Sequence, residues 1–167
     1  MEKMKELERR IAALERQCQK LDDIESIKKM RYKYWRCVRD GLYDELVDLF
    51  SENAAVDLGP LGLQAKGKEA VTRLYKSFVA PNSPANMNFP RGFIPEIEIT
   101  GADTANAIWL GEAPRIDPIA RTVTRVGFVY HEEYLKERGE WKISSLKISY
   151  TFTTEAKLVL PPSPKKD

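Results

Sequence analysis

Residues 26–59 read SIKKMRYKYWRCVRDGLYDELVDLFSENAAVDLG and predict two short helices followed directly by a strand. Apolar residues recur at helical spacing until Asp40-Gly41 ends the first helix. A second apolar stripe covers residues 43–50, and the run 54–58 follows as a strand. This order of elements predicts the start of a small α+β domain.

The rest of the chain predicts a third helix and then a sheet. The helix covers residues 69–78, and three to four strands follow at about 93–100, 104–112, 121–135 and 140–153. The last two strands are long, alternating and rich in β-branched and aromatic residues, which predicts a central antiparallel pair. We therefore expect a cone-shaped, curved antiparallel sheet with three helices against its concave face and a pocket where the cone stays open.

A heptad pattern occupies the first 24 residues. Its apolar members alternate spacings of three and four, as the a and d positions of a coiled coil do: Met4, Leu7, Ile11, Leu14, Cys18 and Leu21. Two interpretations stay open, an arm that packs along its own domain and a contact between subunits. The spacing changes after Leu21, which predicts a kink or helix boundary near Asp22-Asp23.

The chain is divided accordingly into three parts. We expect an amphipathic helical arm over residues 1–24, an α+β cone domain over residues 25–155, and a Pro-rich tail over residues 156–167 that is disordered at its end. A length of 167 residues suits one domain with a substantial core.

Composition excludes several classes of function. There are 27 Lys and Arg against 25 Asp and Glu, so no strong field favours nucleic acid or an anionic membrane as a partner. The two cysteines, Cys18 and Cys37, form no Cys/His cluster, so we expect reduced thiols and no structural metal. No apolar run approaches the length of a membrane span, and we expect a cytoplasmic protein. Nucleotide, flavin and zinc motifs are missing, so we expect no cofactor.

Three polar residues in the opening stretch are candidates for proton transfer without a metal or cofactor. The Tyr34 phenol could stabilise an oxyanion, although a core tyrosine with a satisfied hydroxyl fits equally well. Asp40 could act as a base, but a residue before a glycine at a helix end also fits a turn cap. Asp57 lies in an apolar strand, where either a pocket base or a structural ion pair would explain it.

Other candidates lie on the predicted sheet. His131 is the single histidine, and the sequence leaves open which face of its strand looks into the cone. Glu112 and Arg125 are candidate ligand contacts that could equally form a cross-strand pair. Arg91 is a loop cation suited to a substrate carboxylate, although an exposed arginine is the common outcome. An aromatic ligand or a core would both suit a further set, which includes Phe89, Phe93, Trp109 and Tyr150.

The order helix, turn, helix, strand, then the helix start at Gly67-Lys-Glu-Ala70 and the hairpin ending in Gly139-Glu-Trp-Lys-Ile143, resembles the nuclear transport factor 2-like superfamily. Within it, the chain is most similar to the SnoaL-like branch over about residues 20–155. Leu21-Asp-Asp-Ile-Glu-Ser-Ile-Lys-Lys29, Lys33-Tyr-Trp-Arg-Cys37 and Asp44-Glu-Leu46 are similar to the bile acid 7α-dehydratase and scytalone-dehydratase-like families. The resemblance implies a homo-oligomer, a dimer or a trimer.

The resemblance transfers only part of the dehydratase site. Its helix-one tyrosine matches Tyr34, but the aspartate five residues later falls at Arg39, one place before Asp40. The dehydratase histidine falls at Phe93 or, with a small insertion, at Asn88. Its second acidic residue falls at Ala113, beside Glu112, and its arginine falls near Tyr150.

The expected function is that of a cofactor-independent lyase of the dehydratase type, or an isomerase. Its substrate would be a small hydrophobic molecule of aromatic, polyketide-like or steroid-like character. Asp40, Asp57 or His131 would abstract a proton, while Tyr34, with Tyr150, would stabilise the oxyanion or assist the leaving group. The alternative is a non-catalytic protein with a degenerate site, either a binder of hydrophobic ligands or an oligomeric scaffold.

Overall fold

The computed structural model describes residues 1–78 and 87–159. Its helices are α1 (Glu2–Asp40), α2 (Tyr43–Val47) and α3 (Lys68–Phe78), with a 3₁₀ turn at Gly59–Leu61. The strands are β1 (Phe50–Asp57), β2 (Gln64–Lys66), β3 (Met87–Asn88), β4 (Arg91–Ile99), β5 (Thr104–Asp117), β6 (Thr122–Glu137) and β7 (Glu140–Lys157). Most of the predicted tail lies outside the described residues, although β7 extends to Lys157.

The seven strands form one curled sheet in the order β2-β1-β7-β6-β5-β3, and β4 also pairs with β5. The predicted α+β cone is confirmed, but the sheet is mixed, because β1 runs parallel to β7 while the other pairs are antiparallel. Parallel neighbours need a long connection, and here residues 58–139 lie between the two strands. Local sequence patterns carry no sign of such a distant pairing.

The long strands bend because their pairing is interrupted. The register of β6 against β7 shifts between Gly127 and Phe128 and again between Glu133 and Tyr134. Irregularities of this kind bend a strand and increase its twist, so the sheet curls around the helices. The inner face then carries a continuous row of buried side chains on β6, namely Phe128, Tyr130, Glu132 and Tyr134.

Helix α1 is continuous from Glu2 to Asp40, so the predicted helix boundary near Asp22-Asp23 is wrong, and the alternative of a kink there stays a prediction. Residues 2–40 contain neither proline nor glycine, the usual causes of a kink. What changes at Asp23 is the environment, because α1 first enters the core there. No helix in the described part of the chain is long and apolar enough to cross a membrane.

Two strand glycines leave room for aromatic rings to lie close to the backbone of the sheet. A Cβ atom added to Gly92 of β4 would lie 1.9 Å from the ring of Trp35 on α1. A Cβ atom added to Gly111 of β5 would lie 2.1 Å from the ring of Phe128 on β6. The first close approach sets how near α1 can lie to β4, and the second lets the Phe128 ring of β6 cover the neighbouring strand β5.

Candidate functional site

A cavity of about 440 Å³ lies between α1, α3, the turn at Gly59–Leu61 and the concave face of β5, β6 and β7. Its inner part is formed by buried side chains: Tyr34, Leu58, Tyr75, Phe128, Tyr130 and Ile148. Its outer part includes more exposed residues: Leu61, Asn88, Arg115, Thr124, Tyr150 and Thr153. The volume falls in the range of small-molecule sites, and the inner wall offers little polar surface apart from tyrosine hydroxyls.

Three tyrosines from three elements meet at the inner end of the cavity. The hydroxyls of Tyr34 on α1 and Tyr75 on α3 are 2.8 Å apart and share a hydrogen bond. The ring of Tyr130 on β6 packs edge-on to that of Tyr34, with centroids 6.4 Å apart. Burial raises the pKa of all three phenols. They are therefore neutral near pH 7, able to donate hydrogen bonds and poorly suited to act as resting bases.

A buried arginine lies behind this cluster. The guanidinium carbon of Arg31 is 4.1 Å from the ring centroid of Tyr34, 4.5 Å from that of Trp35 and 4.6 Å from that of Tyr130. Such cation–π contacts offset part of the cost of burying the charged guanidinium away from water. Among the described residues, the guanidinium nitrogens of Arg31 have no hydrogen bond of good geometry. The guanidinium is therefore held by the surrounding rings and by a charged neighbour rather than by well-formed hydrogen bonds.

The counter-charge to Arg31 comes from the sheet. A carboxylate oxygen of Glu132 is 3.0 Å from Arg31 Nη2, and both side chains are completely buried. The Tyr134 hydroxyl donates to Glu132 and accepts a 2.9 Å hydrogen bond from the Trp109 indole. Burial raises the pKa of Glu132, while Arg31 and Tyr134 oppose that shift. The pair places the positive charge of Arg31 in contact with the rings of Tyr34 and Tyr130, two residues of the cavity wall.

Residues 19–147 match the model of the SnoaL-like domain. The chain belongs to the SnoaL-like family. The match confirms the predicted resemblance, including its placement in the nuclear transport factor 2-like superfamily.

Solved structures show the same fold at low sequence identity. A hexachlorocyclohexane dehydrochlorinase from Novosphingobium barchaimii has a TM-score of 0.74 at 20% identity, covering 87% of this chain and 99% of its own. A candidate scytalone dehydratase from Novosphingobium aromaticivorans has a TM-score of 0.73 at 18% identity, covering 90% and 99%. A candidate aromatic ring hydroxylase from the latter species has a TM-score of 0.67 at 18% identity, covering 81% and 94%.

Three of the residues predicted for the site line the cavity of this SnoaL-like cone. They are Tyr34 at its inner end, and Asn88 and Tyr150 in its outer part. Burial raises the pKa of Tyr150 as well, although this residue is only half-buried. The three residues come from α1, β3 and β7, so the fold gathers them from distant parts of the chain.

The three candidate bases lie elsewhere. Asp40 is exposed at the end of α1 and forms an ion pair with Arg39, which lowers its pKa. The carboxylate of Asp57 accepts a 2.8 Å hydrogen bond from the Gly59 backbone N–H. His131 is exposed and pairs in the sheet with Ile108 and Lys147, on the face of β6 opposite the buried row. Their proposed roles stay predictions, and none of these side chains lines the cavity.

The remaining candidates also lie outside the cavity lining. Trp109 belongs to the core below Arg31, and Phe89 and Phe93 are exposed. Glu112 bridges Arg91 at 2.8 Å and Arg125 at 3.7 Å across three neighbouring strands. This arrangement agrees with the cross-strand interpretation of the charges, and a role for them in ligand binding stays a prediction.

Sequence reasoning missed Arg31 and Glu132, although a signal for both was present. Arg31 falls on the same helical stripe as Ile27 and Tyr34, and Glu132 falls on the same strand face as Tyr130. A charged residue inside each of two apolar stripes, with opposite signs, indicates a buried pair. Within residues 1–78 and 87–159, no three His, Cys, Asp or Glu side chains are grouped as metal ligands.

Proposed function

We propose that the cone cavity binds a small hydrophobic molecule that carries a carbonyl or hydroxyl oxygen, and that Tyr34 donates a hydrogen bond to that oxygen. The observation that carries this proposal is the set of neutral phenols at the inner end of an otherwise apolar cavity. Tyr34 and Tyr75 share one hydrogen bond, so one of their two O–H groups is left over as a donor, and it is Tyr34 when Tyr75 donates to Tyr34. A buried donor of this kind favours a ligand with an acceptor, because an unsatisfied polar group in such a site costs about 1–3 kcal/mol. Aromatic, polyketide-like and steroid-like molecules fit this description.

The positive charge of Arg31 supports the same ligand chemistry. It favours the ionised form of Tyr34 and Tyr130 and so opposes the effect of burial on their pKa values. A phenol whose conjugate base is partly stabilised is a stronger hydrogen-bond donor. The donor strength at the end of the cavity is therefore greater than burial alone would allow.

A second candidate function is cofactor-independent elimination or isomerisation. The names of two fold relatives, a dehydrochlorinase and a candidate dehydratase, support it at the level of the fold. Among the described lining residues none is a carboxylic acid or a histidine, and the sequence of residues 79–86 contains neither type. One phenol would then serve both half-reactions. Tyr34 would protonate the departing hydroxyl as the C–O bond breaks, and the resulting phenolate would remove the neighbouring C–H proton as the double bond forms.

The test is a panel of hydroxylated aromatic, polyketide and steroid compounds, with binding measured by calorimetry and products by mass spectrometry. We expect at least one compound to bind, and Tyr34→Phe to weaken its binding by about tenfold, the loss of one hydrogen bond. Tyr32→Phe is the matched control, because Tyr32 is an exposed tyrosine on the same helix.

The products separate the two candidate functions. A ligand recovered unchanged supports binding alone, whereas loss of water or an isomer supports the lyase or isomerase. In the second case Tyr34→Phe should lower turnover by roughly 10²- to 10⁴-fold. Equal binding by wild type and Tyr34→Phe would refute the role of this phenol.

A further inference from the structure

The N-terminal part of α1 projects from the body of the molecule. None of residues 1–22, all of which the structure describes, is buried, and Asp23 is the first residue of α1 that is. At a rise of 1.5 Å per residue this segment, here called the arm, is about 33 Å long. The apolar residues of its heptad pattern, Met4, Leu7, Ile11, Leu14, Cys18 and Leu21, form a stripe here called the seam. The large apolar side chains of the seam are 44–62% exposed: Met4, Leu7, Ile11, Leu14 and Leu21.

An arm of this kind requires a partner to be stable. Isolated helices of this length are marginal in water, because most helix stability in proteins comes from packing of an apolar face. The arm has such a face but no contact that covers it within the described chain. The alternative of an arm packed along its own domain therefore does not describe this structure.

The seam faces away from the body. At 100° per residue, the mean direction of the seam from Met4 to Leu21 and that of the core stripe of Ile27, Met30 and Tyr34 are roughly half a turn apart. A helix that pairs with the seam would therefore meet α1 on the side opposite the cone. The cones of two copies would then lie on the outside of the pair, where they do not obstruct it.

The residues of the seam are those of a two-stranded coiled coil. Leucine occupies all three d positions, and the central a position is the β-branched Ile11, flanked by Met4 and Cys18. Leucine at d with a β-branched residue at a favours two parallel strands over higher orders.

The charges that flank the seam decide the partner and its direction. The g positions carry basic or neutral residues and the e positions carry acids; they are Lys3, Arg10 and Gln17 at g, and Glu8, Glu15 and Asp22 at e. In a parallel pair each g residue faces the e residue of the partner's next heptad, so Lys3 meets Glu8 and Arg10 meets Glu15. In an antiparallel pair g faces g and e faces e, which brings like charges together. We propose that the arm forms a parallel, in-register coiled coil with the arm of a second copy of this chain.

The first experiment compares two variants of the full chain by sedimentation equilibrium across the micromolar range. Leu14→Glu introduces a charge into the seam, and Ala13→Glu introduces the same charge at the neighbouring c position outside it. We expect wild type and Ala13→Glu to have twice the particle mass of Leu14→Glu. Because Leu14 is exposed and lies before Asp23, the first buried residue of α1, the thermal unfolding of the cone should be the same in all three. Equal masses for wild type and Leu14→Glu would overturn the proposal.

The second experiment tests direction through Cys18, which is exposed and lies at an a position. A parallel, in-register pair places the two Cys18 thiols opposite each other, and diamide would take two electrons and two protons from them to form one interchain disulfide. We expect this dimer to form at least about tenfold faster in wild type than in Leu14→Glu, because pairing raises the effective concentration of the thiols. Cys18→Ala should form none, since Cys37 is buried. An antiparallel pair would place Cys18 near the partner's first heptad, so an equal rate in Leu14→Glu would overturn the parallel arrangement.

Discussion

At the scale of single residues, the buried pair of Arg31 and Glu132 carries a large desolvation cost. Removing two charges from water costs several kcal/mol per ion, and the attraction between them offsets this only when both are present. The contacts of Arg31 with the rings of Tyr34, Trp35 and Tyr130 add to that compensation. Two apolar side chains could fill this space without the free energy cost of desolvating two charges. We therefore infer that the charge of Arg31 serves the phenols of the cavity.

Arg31→Met should destabilise the protein by about 3–5 kcal/mol, because it leaves the Glu132 carboxylate buried without a counter-charge. Urea unfolding monitored by far-UV circular dichroism measures this free energy. The matched control is Arg36→Met, which removes an arginine of the same helix from an exposed ion pair with Glu45. That change should cost less than about 1 kcal/mol.

The double variant Arg31→Met with Glu132→Gln tests the explanation. It removes both charges, so most of the lost stability should return, while any ligand that binds through Tyr34 should still bind more weakly than to wild type. A double variant as unstable as Arg31→Met alone would show that packing, rather than the unpaired charge, dominates.

A residue of the cavity could be predicted from the sequence only where the local pattern shows both its chemistry and its position. Tyr34 was predicted because a phenol on an apolar helix stripe is visible locally, and it does line the cavity. Asp40, Asp57 and His131 were equally visible, yet their distances from the cavity depend on where helices end and which strand face turns inward. Arg31 needed a partner 101 positions away in the chain, and no local pattern shows which two charges will meet.

At the scale of elements, α1 is fastened to the hairpin of β6 and β7 by a polar clasp. Asp23 on α1 accepts hydrogen bonds from Lys136 at 2.8 Å and from the Trp141 indole at 3.0 Å. Burial opposes ionisation of Asp23, but the bonds from Lys136 and Trp141 outweigh it, so the pKa of its carboxyl is lowered. The clasp lies where α1 leaves the body, and it holds the last buried turn of the helix before the arm begins.

This clasp predicts a pH-dependent contribution to stability. A carboxyl whose pKa is lower in the folded than in the unfolded state stabilises the fold above the unfolded value, about 3.9 for aspartate. That stability is lost as the pH falls through the lower, folded value. At pH 7, Asp23→Asn should therefore cost about 2 kcal/mol, the scale of hydrogen bonds to a charged group.

Urea unfolding of wild type and Asp23→Asn at a series of pH values measures the effect. The difference between them should shrink once the pH falls below about 4. Asp22→Asn, at the exposed neighbouring position, should behave like wild type throughout. A difference that stays constant down to acid pH would contradict the assignment of the lowered pKa to Asp23.

The elements themselves were largely predictable, because helical and alternating periods are local properties of the chain. The long hairpin of β6 and β7 was predicted to within a few residues at each end. The start of β1 was predicted four residues late, because the Ile143 backbone N–H bonds to Leu49 and draws the strand toward β7. Ends of elements depend on such distant pairing, whereas their centres depend on sequence.

At the scale of the whole molecule, the cavity is a part of the interior that the protein's own side chains leave unfilled. Protein interiors are otherwise close-packed, and each buried methylene that is missing costs about 0.8 kcal/mol of hydrophobic stabilisation. The parallel pairing of β1 with β7 closes the sheet around this space. A volume that is kept at such a cost is most simply explained by a ligand that occupies it.

Ala113→Leu should fill part of the cavity, because Ala113 is half-buried in its wall. We expect the free energy of unfolding to rise by about 1 kcal/mol and the binding of anilinonaphthalene sulfonate, a fluorescent hydrophobic probe, to weaken at least about tenfold. Ala55→Leu, on an exposed position of β1, should change neither. Unchanged probe binding by Ala113→Leu would show that the probe binds somewhere else.

The contact between Trp35 and Trp109 has a consequence for optical spectroscopy. Their ring centroids are 5.3 Å apart and the planes are inclined by 79°, and Trp35 also packs on Tyr130 of the cavity wall. Electronic transitions of two indoles this close mix, and the resulting pair of circular dichroism bands depends on their mutual angle. The third indole, Trp141, belongs to the clasp with Asp23 and adds only a background. The unlabelled protein thus contains a chromophore pair whose spectrum follows the shape of the cavity wall.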